Sequence, residues 1–386
     1  MRPREKVRNA HAATPVRRSR LGSASGSEAV ALSVSIKLRN QDEGGPNFLP
    51  FVGVIKVTFS ALLMRNAFLS CFFYCFAGTL AAAEAPLAGV EKRPVSIYCD
   101  GVRMAADLFS PKGLKPDQKL PALVLCNGTG GTKAKVGNRT APAFARAGFV
   151  VLSFDYRGWG ESDSKLITLE AQPRPDANGN VKVEARAVRW QMNYADQTED
   201  IRAAISFLSG EKTVDAKQIG LWGSSYGGGL VTWVAGNDAR VRFAIAQVSG
   251  MSARGPIAEK AAQELSTKQA RGESEPVPFE TGKLGGKLAT YEMMRANPAR
   301  SVGFNSIEAA AKIKVPMLLV DAEKDELVDI RQHGGKVAGI LKANGVPVEY
   351  RVIPDITHYG VYKEKFAEVT AIEVEWLRTA LKSSGN

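Results

Sequence analysis

Histidine and cysteine are scarce in this 386-residue sequence, which has three histidines and four cysteines. No His, Cys, Asp or Glu residues cluster at metal-ligand spacing, so we expect neither a metal nor another cofactor. Dense runs of Lys and Arg with interleaved aromatic residues are also missing, although the formal net charge is +12. Residues 1–83 carry +7 of that charge, with 11 Lys/Arg against 4 Asp/Glu. The remainder is only mildly basic, which argues against nucleic-acid binding.

The amino-terminal segment is not expected to belong to the fold. Residues 1–47 are rich in Arg, Ser and Gly and have no sustained helix or strand period, which is typical of disorder. Residues 48–83 are mostly apolar, and a long amino terminus with a membrane anchor here is an alternative interpretation. Lys56 and Arg65 interrupt that stretch, which disfavours a transmembrane helix.

A complete signal peptide is predicted over residues 64–85. Met64 and Arg65 supply its start and its positive charge, an apolar stretch follows, and Ala-x-Ala cleavage sites lie at its end. We therefore expect translation to begin at Met64, with residues 1–63 a disordered or wrongly assigned extension. The mature protein is expected in the periplasm or outside the cell, without a stable membrane anchor.

Two cysteines, Cys99 and Cys126, would remain after signal cleavage. An even pair in an exported protein permits a disulfide. Both residues lie in predicted strands, however, which favours two buried free thiols.

Residues 86–386 are predicted to form one domain in which strands alternate with helices. The predicted strands are short, largely apolar runs: Val95–Cys99, Val102–Phe109, Ala122–Cys126, Phe149–Phe154, Gln218–Trp222, Phe243–Val248, Pro316–Val320 and Val348–Ile353. The predicted helices are Ala141–Ala147, Gln197–Leu208, the stretch from Gly228 onward, Gln332–Ala343 and Lys363–Lys382. This alternation predicts an α/β fold with a doubly wound, mostly parallel sheet, in which the first two strands form a hairpin.

Two segments interrupt the alternation. Residues 161–194 contain the turn-rich sequence Asp176-Ala-Asn-Gly-Asn180 and are predicted to form a loop or a small hairpin. Residues 249–314 combine helical patterns with Gly and Pro breaks and show no clear strand. Both segments follow the carboxyl ends of strands, the edge where such sheets bind ligands. We therefore interpret residues 249–314 as a helical lid over the site, with a purely structural excursion as the alternative.

A short motif between a predicted strand and a predicted helix indicates the chemistry. The sequence Gly223-Ser224-Ser225-Tyr226-Gly227 fits Gly-x-Ser-x-Gly, with Ser225 as the nucleophile. In that motif a strained turn exposes the serine Oγ above the end of a sheet, and the two glycines leave room for neighbouring backbone. The register with Ser224 as the nucleophile would place large residues where small ones are required.

A serine nucleophile needs a base that accepts its proton. Of the three histidines, His11 lies in the amino-terminal extension. His333 falls in a predicted helix, where an ordinary, partly exposed side chain is expected. His358 lies in the loop just past the strand predicted at Val348–Ile353, and it is therefore the predicted base.

The acid that orients the base is expected in the loop after the preceding strand. Asp321 lies at the end of that strand and is expected to pack or cap there. Asp325 lies at the apex of the loop, where it is better placed to meet the histidine, and it is the predicted acid.

The negative charge that develops on a substrate carbonyl oxygen needs fixed N–H donors. One predicted donor is the backbone N–H of Tyr226, at the start of the helix after the motif. The other is expected in the loop Asn127-Gly-Thr-Gly-Gly-Thr132, where Thr129 N–H is the candidate. A merely flexible glycine loop is the alternative interpretation.

Together these features resemble the α/β-hydrolase superfamily over residues 94–382, and within it the dienelactone-hydrolase and Xaa-Pro dipeptidyl-peptidase-like hydrolases. The order Ser225, Asp325, His358 is the order of nucleophile, acid and base in that superfamily. The supporting sequences are Asp155-Tyr-Arg-Gly-Trp-Gly-Glu-Ser162, Asp196-Gln-Thr-Glu-Asp-Ile-Arg-Ala-Ala-Ile205 and the motif around Ser225.

Two residues depart from the pattern of these families. Asn127 stands before Gly128 where such enzymes usually have histidine, which leaves the backbone donor intact but changes the hydrogen bonding of the loop. Ser225 stands where dienelactone hydrolases have cysteine, which argues against that specific activity.

Asp155 and Arg157 are expected to be structural, in a turn and an ion pair.

The motifs and the resemblance predict a serine hydrolase that cleaves carboxylic esters through an acyl-enzyme, using Ser225, His358 and Asp325. A peptidase or amidase of the Xaa-Pro type is the alternative, and it would need an acidic subsite, for which Glu259–Glu280 offers candidates. A non-catalytic binding or sensor protein of the same fold is a third interpretation. The predicted partner is a small ester or amide, and the sequence carries no signal for an oligomeric state.

Overall fold

The computed structural model describes residues 87–115, 117–251, 256–275, 277 and 293–383. The predicted extension and signal peptide, at residues 1–63 and 64–85, lie outside the described residues. Within the described ranges, no helix combines the length and the apolar character that a membrane crossing requires.

Strands of the described residues fall into one large sheet and two small ones. They are β1 (Val90–Cys99), β2 (Val102–Pro111), β3 (Leu120–Cys126), β4 (Val150–Phe154), β5 (Leu166–Thr168), β6 (Ala185–Ala187), β7 (Gln191–Met192), β8 (Val214–Ser224), β9 (Val241–Gln247), β10 (Arg295–Ala296), β11 (Met317–Ala322) and β12 (Val348–Ile353). The large sheet has the order β1-β2-β4-β3-β8-β9-β11-β12. Strands β1 and β2 pair with their neighbours in antiparallel fashion, and the six strands from β4 to β12 are parallel.

Helices cover both faces of this sheet. They are α1 (Lys133–Arg146), α2 (Tyr194–Gly210), α3 (Tyr226–Asn237), α4 (Pro256–Ala270), α5 (Ser306–Ala310), α6 (Gly334–Ala343) and α7 (Phe366–Ser383). Apolar residues of α1 and α7 pack on one face, and those of α2, α3, α5 and α6 pack on the other. The predicted doubly wound α/β architecture is therefore confirmed.

The central strand β3 shows why its sequence is apolar throughout. Its side chains alternate between the two faces: Leu123 and Leu125 join the core on one side, whereas Val124 and Cys126 join the core on the other. All four are fully buried. A strand covered by helices on both faces has no polar face, so its sequence does not alternate.

The predicted hairpin is confirmed and is longer than expected, because β1 and β2 pair in register from Val90 to Pro111. Its two turn residues have positive φ, 51° at Asp100 and 74° at Gly101. Positive φ at both positions is what a two-residue type I′ turn requires.

The boundaries of two helices differ from the predictions. Helix α1 begins at Lys133, eight residues before the predicted start, because its polar first turns carry no apolar pattern. The Lys133 N–H donates to the buried Asp155 carboxylate at 2.6 Å, which satisfies one of the orphan donors at the helix start. Helix α6 begins at Gly334, so His333 is its N-cap residue and does not lie inside the helix as predicted.

The two insertions contact each other. Residues 161–194 contain the predicted small hairpin, in which β5 and β6 pair antiparallel. Residues 249–314 contain α4 and α5 and also a two-residue strand, β10, which the sequence did not predict and which pairs parallel with β7. Helix α4 is mostly exposed, with only Ala262 buried among its residues. The role of residues 249–314 as a lid stays a prediction.

Neither Cys99 nor Cys126 forms a disulfide. Cys126 is buried and Cys99 is half-buried, so the prediction of free thiols is confirmed and that of full burial is wrong for Cys99. Burial raises the pKa of Cys99 to about 11. Both thiols are therefore protonated at neutral pH.

A buried carboxyl group ties the last helix to the strand that leads into the Gly-x-Ser-x-Gly motif. Trp222 of β8 donates its Nε1–H to Glu373 of α7 at 2.8 Å. Both side chains are buried, with Glu373 only 1% exposed. Burial raises the pKa of Glu373 to about 8, so this side chain is mostly protonated at pH 7.

We expect Glu373→Gln to remove part of the pH dependence of stability. Because the pKa is raised in the folded state, the native protein loses stability as the pH rises from about 5 to about 8.5. Glutamine keeps the acceptor for Trp222 but does not ionise, so the variant should gain on the order of a few kcal/mol relative to wild type at alkaline pH. Urea unfolding at several pH values measures this difference. Glu375→Gln, at an exposed position of α7, is the matched control, and parallel pH curves for Glu373→Gln and wild type would contradict the prediction.

Candidate active site

Ser225 lies on a strained turn between β8 and α3. Its backbone has φ 54° and ψ −121°, a conformation that residues other than glycine rarely adopt. The surrounding chain holds this conformation on both sides. The Ser225 N–H donates to Gln247 O at 2.9 Å, and the Ser225 carbonyl accepts from Gly228 N at 3.0 Å and from Gly250 N at 3.1 Å.

The glycines around Ser225 are required by close packing. A Cβ at Gly223 would lie 2.4 Å from the carbonyl oxygen of Gly227, and a Cβ at Gly227 would lie 2.2 Å from that of Cys126. A Cβ at Gly228 would lie 2.0 Å from the Ser249 Oγ. The motif therefore brings two neighbouring loops into contact with the turn, one after β3 and one after β9.

The structure brings together the side chains of Ser225, His358 and Asp325, which the sequence analysis predicted as nucleophile, base and acid. His358 Nδ1 lies 2.8 Å from Asp325 Oδ2, and His358 Nε2 lies 3.1 Å from Ser225 Oγ. The three residues follow the carboxyl ends of β8, β11 and β12, as predicted from the order of the elements. In a neutral histidine, Nδ1–H then donates to the carboxylate and Nε2 accepts from the serine hydroxyl.

Backbone hydrogen bonds fix the acid and the loop that carries the histidine. Asp325 Oδ1 accepts from the N–H groups of Leu327 and Val328, each at 2.9 Å. The His358 N–H donates to Glu326 Oε2 at 2.9 Å. The side chains of Asp325 and His358 are almost completely buried, at 0% and 3% exposure. Their geometry is therefore set before any substrate binds.

Asp321, the other candidate acid, does not reach the histidine ring. It lies inside β11, where its carboxyl group is buried beside Tyr350 and Ser249. Its Oδ2 has no hydrogen-bond partner among the described residues. Burial raises the pKa of Asp321 to about 7. Asp321 thus packs within the strand, as predicted, and stays partly protonated at neutral pH.

The loop after β3 lies directly against Ser225. A Cβ at Gly128 would approach the Ser224 carbonyl oxygen to 3.0 Å and the Ser225 Cβ to 3.2 Å. A hydrogen bond of 3.0 Å from Gly131 N to Gly128 O closes a turn in which Gly130 has φ 67°. A positive φ at this third position is what a type II turn requires, so the loop has a defined conformation. The structure thereby places Thr129, the predicted donor, in a fixed turn beside the serine.

Asn127, which replaces the usual histidine, holds this loop to the next strand. Its Nδ2 donates to Phe154 O at 2.8 Å, and its buried Oδ1 has no hydrogen-bond partner among the described residues. On the other side of Ser225, Tyr226 is the first residue of α3, as predicted. The N–H groups of a first helical turn point out of the helix end, toward the side where an oxyanion would lie.

Asp155 and Arg157 are structural, as predicted. Asp155 accepts from the N–H groups of Lys133 and Glu161, at 2.6 and 2.9 Å, and so fixes the turn after β4. Arg157 forms a buried ion pair with Asp200 of α2. Burial raises the pKa of Asp200 to about 6 even though the Arg157 charge opposes that shift.

A second set of hydrogen bonds joins the serine turn to the histidine loop, and the sequence did not reveal it. The buried Ser224 hydroxyl accepts from Gln247 Nε2 at 2.8 Å and bonds to the Tyr362 hydroxyl. Tyr362 ends the 3-10 turn that begins at His358. Ser224 therefore connects the turn at Ser225 with the loop of His358, a contact between distant segments that no local sequence pattern shows.

A series of aromatic ring contacts connects the turn at Ser225 with residues 161–194 and residues 249–314. The Tyr226 ring stacks on Trp159 at 6.5 Å and lies 5.0 Å from the ring of Tyr194. Tyr194 in turn stacks on Phe304, with the ring centroids 4.1 Å apart. Trp159 lies just before residues 161–194, Tyr194 is the last residue of that segment, and Phe304 belongs to residues 249–314. In the described part of the chain, no group of His, Cys, Asp and Glu side chains is arranged to hold a metal ion.

A mostly parallel sheet with helices on both faces, carrying a serine on a strained strand-to-helix turn, defines the class of α/β-hydrolases. The sequence profile of the prolyl oligopeptidase family (peptidase S9) matches residues 186–384, and that of the X-Pro dipeptidyl-peptidase family (S15) matches residues 100–269. The chain therefore belongs to the prolyl oligopeptidase family of α/β-hydrolase serine hydrolases, and the predicted resemblance is confirmed.

Individual proteins are similar to this chain at low sequence identity. An Escherichia coli protein, described as an uncharacterized 31.7 kDa protein in the traX-finO intergenic region, is 28% identical over 294 residues, which are 68% of this chain and 92% of the relative. The thiohydrolase apmlB of Arthrinium phaeospermum is 31% identical over 147 residues, covering 38% of this chain and 39% of the relative. The crystal structure of the α/β-hydrolase GrgF from Penicillium superposes with a TM-score of 0.56 and 18% identity, over 75% of this chain and 99% of GrgF.

We expect Gly227→Ala to destabilise the protein, because its Cβ would meet the backbone oxygens of Cys126 and Asn127, which cannot move aside. The free energy of unfolding should fall by about 2–4 kcal/mol. Gly210→Ala, at the end of α2, is the matched control, since a Cβ there meets no atom within 4 Å. Urea unfolding of the two variants tests the prediction, and equal stability of both would contradict it.

Proposed function

We propose that the protein is a serine hydrolase that cleaves carboxylic esters through an acyl-enzyme on Ser225. The observation that carries this proposal is the continuous hydrogen-bonded chain from Ser225 Oγ through His358 to Asp325. Ser225 remains partly exposed at the carboxyl edge of the sheet, whereas His358 and Asp325 are buried beneath it. A buried base beside an accessible hydroxyl is the arrangement that nucleophilic acyl transfer needs.

In the first half of the reaction, His358 Nε2 takes the proton of the Ser225 hydroxyl while Oγ attacks the ester carbonyl carbon. Asp325 stabilises the resulting imidazolium through Nδ1–H. The Tyr226 and Thr129 N–H groups are the proposed donors to the oxyanion, each worth about 3 kcal/mol of barrier lowering in such sites. When the intermediate collapses, the C–O bond to the alcohol breaks and His358 returns the proton to the alcohol oxygen.

In the second half, a water molecule takes the place of the alcohol. His358 accepts a proton from this water as the water oxygen attacks the acyl carbon. Collapse of the second intermediate breaks the bond to Ser225 Oγ, which regains its proton from His358. The products are the carboxylic acid and the free enzyme, so no external proton donor is consumed.

The glutamates in the described residues 256–275 are paired, and this pairing favours an ester over a peptide substrate. An aminopeptidase of the Xaa-Pro type would need free carboxylates for the substrate amino group. Each described glutamate of residues 256–275 already contacts another group of the protein: Glu259 with the Gly303 N–H, Glu264 with Lys260, Glu273 with Arg271 and Glu275 with Arg186. The described residues of this segment therefore offer no unpaired acidic subsite.

An apolar groove supports a substrate with an apolar group. It has a volume of about 480 Å³ and lies between α4 and residues 296–301, with Leu265 and Met192 among its walls. Tyr194 also lines it, and the Tyr194 ring packs 5.0 Å from that of Tyr226, the residue after Ser225.

We expect the purified protein to release p-nitrophenol from p-nitrophenyl acetate and butyrate. Ser225→Ala should lower kcat by roughly four to six orders of magnitude, and Asp325→Asn by roughly four, because each removes a member of one catalytic unit. Ser224→Ala is the matched control for the loss of a neighbouring hydroxyl, and it should retain measurable turnover. Unchanged turnover in Ser225→Ala would contradict the proposal.

The same assay separates the alternatives. A peptidase of the Xaa-Pro type would cleave Ala-Pro-p-nitroanilide faster than the esters, whereas the proposed esterase cleaves the esters faster. A binding protein of this fold would turn over neither substrate. Comparison of kcat/KM for the three substrates therefore decides between these functions.

We also propose that the protein is exported through a signal peptide at residues 64–85. The sequence pattern of that segment supports this proposal. Amino-terminal sequencing of protein recovered from the periplasm or medium should find a mature chain beginning just after residue 83 or 85. A mature chain that begins upstream of about Leu80 would contradict it.

A further inference from the structure

Residues 247–251, which are the last residue of β9 and the four residues after it, carry the backbone groups that hold Ser225 in its strained conformation. Gln247 O accepts from the Ser225 N–H, and the Gly250 N–H donates to the Ser225 carbonyl, at 2.9 and 3.1 Å. The position of the Ser225 peptide groups therefore depends on the position of this segment. A displacement of the segment would move the Ser225 Oγ relative to His358.

The 247–251 segment is itself strained. Val248 is fully buried and has φ 40°, which is an outlier for a β-branched residue. Such a conformation persists only when surrounding contacts fix it. The contacts that fix the 247–251 segment therefore also fix the position of Ser225.

Two of these contacts come from β11 and one comes from a histidine. The Val248 N–H donates to Val320 O at 2.6 Å, and Ser249 lies beside the Asp321 carboxyl group. At the end of the segment, the Met251 N–H donates to His333 Nδ1 at 2.9 Å. This bond joins residues 82 positions apart in the sequence.

The bond to Met251 requires a neutral His333. A ring nitrogen that accepts a hydrogen bond carries no proton, so the proton of neutral His333 is on Nε2. Burial lowers the pKa of His333, which favours this form. Protonation at low pH would turn Nδ1 into a donor that faces the Met251 N–H, and the bond would break.

Among the described residues, few charged groups act on His333. Asp329 and Asp325 act on it electrostatically, and Asp329 is itself paired with Arg331. The carboxyl group of Asp321 lies beside the adjacent Gly334, where a Cβ would come within 2.0 Å of its Oδ2.

We propose that His333 is a positioning residue for hydrolysis, which keeps Ser225 aligned with His358 by holding the Met251 end of the 247–251 segment. The proposal rests on the hydrolytic role proposed above for Ser225. His333 acts on the reaction through the backbone and does not touch the substrate. The enzyme then contains two histidines that must be neutral for full activity, one as the base and one as the support.

Three variants test this proposal. His333→Asn keeps an acceptor, Oδ1, at the place of Nδ1 but does not titrate, whereas His333→Leu removes the acceptor. Gln332→Ala, at the exposed neighbouring position, is the control. Amide hydrogen exchange of the peptide that contains residues 247–251 reports the bond, and kcat and KM for p-nitrophenyl butyrate report its effect on the reaction.

We expect faster amide exchange in His333→Leu than in wild type, together with a kcat that is roughly 10- to 100-fold lower and a KM that is little changed. His333→Asn and Gln332→Ala should resemble wild type at pH 7.5. Toward acid pH, kcat should fall more steeply in wild type than in His333→Asn, because protonation of His333 breaks its bond to Met251, whereas the asparagine does not titrate. The acidic side chains near His333 are the same in both proteins, so they do not cause this difference.

Wild-type exchange and wild-type kcat in His333→Leu would overturn the proposal. If His333→Leu does not fold, wild type is compared with His333→Asn. The proposal would be overturned if the two proteins have the same fall of kcat at acid pH and the same amide exchange of residues 247–251, after correction for the intrinsic effect of pH on exchange. If wild type hydrolyses neither ester, the proposed function fails, and the exchange data still show whether His333 holds Met251.

Discussion

The backbone conformation of one residue, Ser225, is the constraint on which the site depends. A φ of 54° is costly for a residue with a side chain, so the neighbouring chain has to hold it. The close approach of that chain explains why no side chain fits at Gly223, Gly227 or Gly228. The glycines of the motif are therefore not flexible positions. They are the places where the loops after β3 and β9 contact the turn.

The parallel sheet turns distance along the sequence into proximity in space. Ser225 and His358 are 133 residues apart, yet their side chains lie within hydrogen-bonding distance. The strands that precede the site residues occupy one side of the sheet in the order β3-β8-β9-β11-β12, and their carboxyl ends meet at one edge. Strand β9 contributes no predicted catalytic side chain. It contributes the 247–251 segment, which lies between the serine turn and the loop of β11.

The fold and the three central side chains followed from sequence because each leaves a local or a countable signal. The alternation of strands and helices predicted the sheet, and the Gly-x-Ser-x-Gly motif predicted Ser225 as the nucleophile. The scarcity of histidine left His358 as the predicted base. His333 shows where such reasoning ends. The local sequence of His333 has a helical pattern, but helix α6 begins at Gly334, one residue after it. The His333 ring instead accepts a hydrogen bond from the Met251 N–H, which belongs to a distant segment of the chain. Tyr362 and Ser224 were missed for the same reason, since a buried hydroxyl pair has no periodicity.

Two aspartates four residues apart show how environment separates the roles of chemically identical groups. Asp325 has three hydrogen-bond partners, which are two backbone N–H donors and the His358 ring. Asp321 has an oxygen with no partner among the described residues, and burial raises its pKa to about 7. Because Asp321 is partly protonated at neutral pH, less negative charge lies beside Asp325. The strand can thus support the 247–251 segment through Asp321, while the loop beyond it holds Asp325 beside the His358 ring.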